Sequence, residues 1–194
     1  MENKISFASK VMLIDASYID RVGTDLATYF TPVVKRELPK ADLTILLECL
    51  ALDAGILPGN NEIQVFFVYD SDEKQMRFCT PSYLNKEIHE KAFKSELGEF
   101  SLYAFQPSEM VPRRDFFMEL LQLLGESKDV KQVIVIPDEM NDVASLEHIV
   151  EKIKGKENIT LFGMDPPKKE CVYTFEQLGF AMLQAFGIRA DELG

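Results

Sequence analysis

A chain of 194 residues, 46% hydrophobic and 27% charged, is long enough to bury one sizeable core. Its formal net charge of −11 runs against non-specific duplex binding, where phosphate neutralisation by Lys and Arg supplies most of the affinity. No apolar run approaches the roughly 18 residues of a membrane span. MENKISFASK lacks the apolar stretch of a signal peptide, and Cys49, Cys79 and Cys171 are too scattered for a disulfide frame or a C-x-x-C zinc motif.

In chain order, the first strand is expected at VMLID (11–15), a continuous apolar run that ends in Asp15. Tyr18, Ile19, Val22, Leu26, Tyr29, Phe30 and Val33 follow at helical spacing until Pro32 disturbs the end. Ala41 to Ile56 is apolar nearly all round, which predicts a helix buried on several sides. EIQVFFVYD (62–70) reads as a strand whose better alternation places it nearer a sheet edge. Tyr83 to Leu97 reads as a more polar helical segment, and EFSLYAFQ (99–106) as the next strand. PRRDFFMELLQLLG opens at Pro112 and closes at Gly125, both where helices prefer them. VKQVIVIPD (130–138) is a further strand, and Val143, Leu146, Ile149, Val150 and Ile153 form a helical stripe. NITLFG (158–163) is the last expected strand, and TFEQLGFAMLQAFG the last helix, closing at Gly187.

Strands and helices alternate without repeat or linker, and continuous apolar strands belong to sheets covered on both faces. The expectation is one domain over residues 1–194: a three-layer α/β/α, doubly wound fold with a mainly parallel sheet of about five strands. Its expected compartment is the cytoplasm. There is no Walker motif, no G-x-G-x-x-G and no nucleophile elbow, so no dinucleotide is expected.

In such a fold the site gathers outside the carboxyl ends of the strands. The acids there are Asp15, Asp70 and Asp72, and Asp138 and Asp142, with Asp42 near the start of the apolar helix and Glu48 inside it. Carboxylates crowded on one rim repel one another unless a cation sits among them, and such oxygen ligands suit Mg²⁺ or Mn²⁺. Asp42 and Glu48 lie about 120° apart around a helix axis and do not share a face. Each acid also has a plainer reading. Asp15 and Asp42 fit helix N-caps, Asp138 and Asn141 a turn and a cap, and Asp142 an acid in a first turn. Asp70 and Asp72, in YDSDEKQ, read as a solvated turn, and the basic pairs Arg113–Arg114 and Lys168–Lys169 as surface able to hold a phosphate backbone.

Taken together, MLIDASYI, KADLTILLECL and VIVIPDEMND resemble a NYN domain of the PIN-like ribonuclease superfamily. The likeness lies in an aspartate closing the first strand, a lysine-led aspartate opening an apolar helix with an acid six residues on, and an aspartate-rich turn after a late strand. NITLFGMD before a helix is similar to the family's closing strand. The resemblance implies a Mg²⁺- or Mn²⁺-dependent endoribonuclease, with Asp15, Asp42 and Asp138 as catalytic carboxylates and Glu48 and Asp142 as further metal ligands. Tyr18 stands where the family carries an asparagine, Ile136-Pro137-Asp138 replaces a Ser-Gly-Asp turn, and Met140 takes the place of that turn's second aspartate. These departures motivate an alternative: a catalytically inactive PIN-like domain acting as a protein- or RNA-binding module. The candidate partners are RNA, another protein or a second copy of the chain, and not a membrane.

Overall fold

Side chains of a strand alternate between the two faces of its sheet, so a run buried throughout must be covered on both. The computed structural model, which describes residues 6–194 except the side chains at 140–142, shows this for β1 (Lys10–Asp15). Val11 and Leu13 enter one apolar core, while Met12 and Ile14 enter another on the opposite face. Helices α1 (Ala16–Val34), α2 (Leu43–Asp53) and α5 (Leu178–Ala185) cover the Met12 face. Helices α3 (Arg113–Glu126) and α4 (Glu139–Lys152) cover the Val11 face. The three-layer α/β/α expectation is met.

β1 pairs in parallel with β3 (Asn61–Val68) on one side and with β7 (Gln132–Ile136) on the other. β6 (Gly98–Phe105) extends the sheet beyond β3, and β8 (Asn158–Gly163) and β9 (Thr174–Gln177) extend it beyond β7, all parallel. β5 (Lys91–Ser95) closes one edge antiparallel to β6, giving the order β5-β6-β3-β1-β7-β8-β9. A separate two-stranded pair joins β2 (Ala41–Asp42) to β4 (Cys79–Thr80).

The sheet thus has seven strands rather than about five, and both additions lie at its edges. Tyr83 to Leu97 is not one helix: Leu84–Ile88 makes a π-helical turn, and Lys91–Ser95 is the antiparallel edge. An edge strand facing water keeps polar residues such as Lys91 and Lys94, so it lacks an apolar run. Thr174–Gln177, read as the start of the last helix, is the opposite edge. EIQVFFVYD, expected near an edge, lies between β6 and β1. Its alternation is confined to its first residues, and Val65 to Val68 are buried on both faces. α1 continues through Pro32 to Val34, although proline there removes one N–H and its bond to the carbonyl four residues back.

From β1 the chain builds outward through β3 to β6, then returns to β7 on the other side of β1. The direction of winding reverses between β1 and β7, and crevices at such reversals are where open α/β sheets bind ligands. Asp15 closes β1, and Asp138 follows β7 by two residues.

Candidate functional site

Asp15 is the N-cap of α1. Its Oδ1 accepts the Tyr18 N–H at 2.9 Å, as an aspartate closing a βα turn commonly does. Its Oδ2 faces the crevice and accepts from Arg113 Nε at 3.1 Å. With only 3% of its surface exposed, this carboxyl is pushed above the usual aspartate range. Burial is the main cause, the Asp138 charge adds to it, and Arg113 and the Tyr18 N–H oppose it.

Arg113 opens α3 directly after Pro112, and its side chain is 16% exposed. Its guanidinium lies among four carboxylates. Nη1 donates to Asp70 Oδ2 and approaches Glu73 Oε2 at 3.5 Å, while Nη2 lies 3.7 Å from Asp138 Oδ2. Burial lowers its pKa, but the charges of Asp15, Asp70 and Glu73 outweigh that and lift it above the ordinary arginine value. Asp138 has a second partner in Arg21, whose Nη2 donates to Oδ1 at 2.9 Å, and Arg21 in turn sits 5.5 Å from the centre of the Tyr18 ring. Arg113 and Arg21 thus bridge Asp15, Asp70, Glu73 and Asp138, with Arg114 lining the same space. The space left among Asp15, Arg113, Arg114, Phe117, Met118, Pro137 and Asp138 is about 30 Å³, room for a water or two.

A second carboxylate links three elements beside this cluster. Glu139 Oε2 accepts from the Tyr18 hydroxyl at 2.7 Å, and the Met164 N–H points at both oxygens, 3.1 and 3.0 Å away. Gly163 makes room for it, since a Cβ there would stand 1.7 Å from Glu139 Oε1. Burial and the neighbouring Glu139 carboxylate raise the Tyr18 pKa, keeping the hydroxyl a donor. Tyr18 and Ile136 are two of the departures from the family pattern. Tyr18 ties α1 to α4 and the end of β8, and Ile136 is wholly buried in the core. The group that fills the crevice is Arg113.

Of the five predicted site residues, the structure brings Asp15 and Asp138 together. Asp42 is exposed and caps α2: its Oδ1 accepts from Thr44 N, Thr44 Oγ1 and Ile45 N at 2.8, 2.6 and 3.2 Å. Burial acts against them, yet these donors hold its carboxyl below the usual range. Glu48 is half-buried, and burial, then the charges of Asp42 and Glu96, push its carboxyl up, so its charged neighbours are other acids and not the Arg113 cluster. The side chain of Asp142 lies outside the described residues. Asp42→Ala is expected to lower stability by about 1 kcal/mol, the usual worth of an N-cap, as read by urea denaturation.

Arg21 and Glu73 carry no site expectation in the sequence, and neither Arg113 nor Asp70 is among the five predicted site residues. Arg113 had been read as surface and Asp70 as a solvated turn, yet both join the cluster. The available signal was position: Asp70 follows the third strand and Arg113 opens the helix after the sixth, so both stand at the rim that carries Asp15. The divalent cation implied by the resemblance does not fit these residues, because a guanidinium already lies among the carboxylates that would bind it.

The model of a family of unknown function, DUF6621, matches residues 4–193. The chain belongs to this family. No curated protein and no solved structure matches it. The matched span of this DUF6621 chain takes in every residue of the Arg113 cluster. Among the described residues, no helix is long and apolar enough to cross a membrane.

Proposed function

We propose that this DUF6621 chain is a catalytically silent domain of PIN-like type that works as a protein-binding module, with Arg113 standing where a catalytic cation would. The observation that carries this reading is the Arg113 guanidinium, bonded to Asp15 and Asp70 and facing Glu73 and Asp138. A bound metal activates water through an open coordination position. A guanidinium has no such position and keeps its charge at any physiological pH. It can join the rim but cannot generate a nucleophile. Arg113 instead links the turns after β1, β3 and β7 to the start of α3, a rigid frame for surfaces elsewhere on the molecule. The net charge of −11 disfavours a phosphate backbone, which favours a protein partner over RNA.

The convergence of Asp15 and Asp138 is the observation favouring the rival reading, a metal-dependent endoribonuclease, and one experiment separates the two. A thermal melt titrated with Mn²⁺ and Mg²⁺ to millimolar levels is expected to show no stabilisation, and a single-stranded RNA oligomer in the same buffers should remain intact. A ligand specific for the native state, at a hundred times its dissociation constant, would add about 2.7 kcal/mol. Such a gain in the wild type, absent from Asp138→Asn, would restore the nuclease reading.

A further inference from the structure

α2 is the element whose sequence and surroundings disagree. LTILLECLALD contains no basic residue and is apolar nearly all round, and a helix of that kind is normally enclosed. Only one side is enclosed here. Leu43, Leu46, Leu47, Leu50 and Ala51 enter the core, whereas Ile45 and Leu52 are 41% and 50% exposed and Cys49 is half-buried between them. Ile45, Cys49 and Leu52 are spaced at i, i+4 and i+7, one stripe along the outer side of the helix. Its neighbour α5, LGFAMLQA, carries no charge and leaves Phe180 68% exposed.

The stripe is bordered by acids. At about 100° per residue, Glu48 falls roughly 60° to one side of Ile45, and Asp42 and Asp53 roughly 60° and 80° to the other. None of the three has an ion-pair partner among the described residues, and Glu96 adds a further negative charge on the Glu48 side. An apolar stripe with uncompensated carboxylates on both margins is complementary to an apolar stripe margined by lysine or arginine.

We infer that the outer stripe of α2 receives a basic amphipathic helix of a partner protein, its apolar residues on Ile45, Cys49 and Leu52 and its cationic side chains against Asp42, Glu48 and Asp53. This deepens the binding-module reading and rests on it. A second copy of the chain is a poorer occupant, because a two-fold pairing of α2 would set these acids against one another. An anionic membrane surface is repelled for the same reason.

The test uses the full chain and a fluorescently labelled model helix of about 18 residues, leucine at i, i+3, i+4 and i+7 with lysine on both margins. Anisotropy titration should show saturable binding, weakened at least tenfold when the lysines are replaced by glutamate. Ile45→Ser with Leu52→Ser leaves the net charge at −11 and removes the apolar contact, so it should weaken binding at least tenfold with circular dichroism and melting temperature preserved. Glu48→Lys with Asp53→Lys should do the same while sparing the stripe. Wild-type affinity in the serine variant would reduce the interaction to bulk charge and overturn the proposal. It would equally be overturned by a wild-type dimer in light scattering that the serine variant abolishes, or by serine-sensitive binding to phosphatidylserine vesicles. The two readings fail separately: Mn²⁺ stabilisation with peptide binding intact sinks the silent domain alone, and a flat Mn²⁺ titration without peptide binding sinks this surface alone.

Discussion

Arg113→Met is expected to destabilise the protein by about 3 kcal/mol, because removing one partner of a buried ion pair leaves the other charge uncompensated. Asp15 bears most of this: it is 3% exposed, and Arg113 is the chief influence opposing the rise that burial imposes on its pKa. Without the guanidinium that pKa rises further. A carboxyl raised in the folded state holds its proton more tightly than in the unfolded chain, where its pKa is about 3.9. The folded state then binds more protons, so unfolding free energy falls as pH rises through the interval between the two values. The deficit of Arg113→Met relative to wild type should therefore be largest near pH 7 and shrink as pH falls toward about 4. Urea denaturation of both proteins at several pH values measures it, and a deficit independent of pH would mean that the arginine acts only through packing. In a double-mutant cycle, Asp15→Asn with Arg113→Met should cost less than the sum of the single changes, since the groups share one interaction.

Gly163→Ala is expected to cost about 2–3 kcal/mol, the range for losing hydrogen bonds to a charged group in partly buried surroundings. An added Cβ would stand 1.7 Å from Glu139 Oε1 and 3.0 Å from the Phe175 ring. The Glu139 carboxylate is the movable side of that clash and would swing away, stranding the Met164 N–H and the Tyr18 hydroxyl. Tyr18→Phe introduced into Gly163→Ala should then cost little more, because its partner has already left. Full additivity of the two changes in chemical denaturation would show that Glu139 had stayed in place.

What one sequence determines here is what depends on neighbours in the chain or on a repeating pattern. NITLFG emerged as a strand with its observed bounds, and VMLID within one residue, because burial on both faces demands unbroken apolar residues. Pro112 and Gly125 marked α3 to within a residue at each end, since the conformational preferences of proline and glycine are local. The cap reading of Asp42 was equally local, its donors lying two and three residues ahead. Lys91–Ser95 escaped notice because an edge strand need bury only part of itself, and its lysines disguise it. The placing of Asp15 and Asp138 on one rim followed from alternation and parallel winding. What occupies the space between them did not. Arg113 reaches Asp15 across 98 residues of sequence and Asp70 across 43, and no periodicity or motif couples positions so far apart. Only the folded sheet, by bringing the ends of β1, β3 and β7 to the start of α3, decides that the cation among these carboxylates is a side chain of the protein itself.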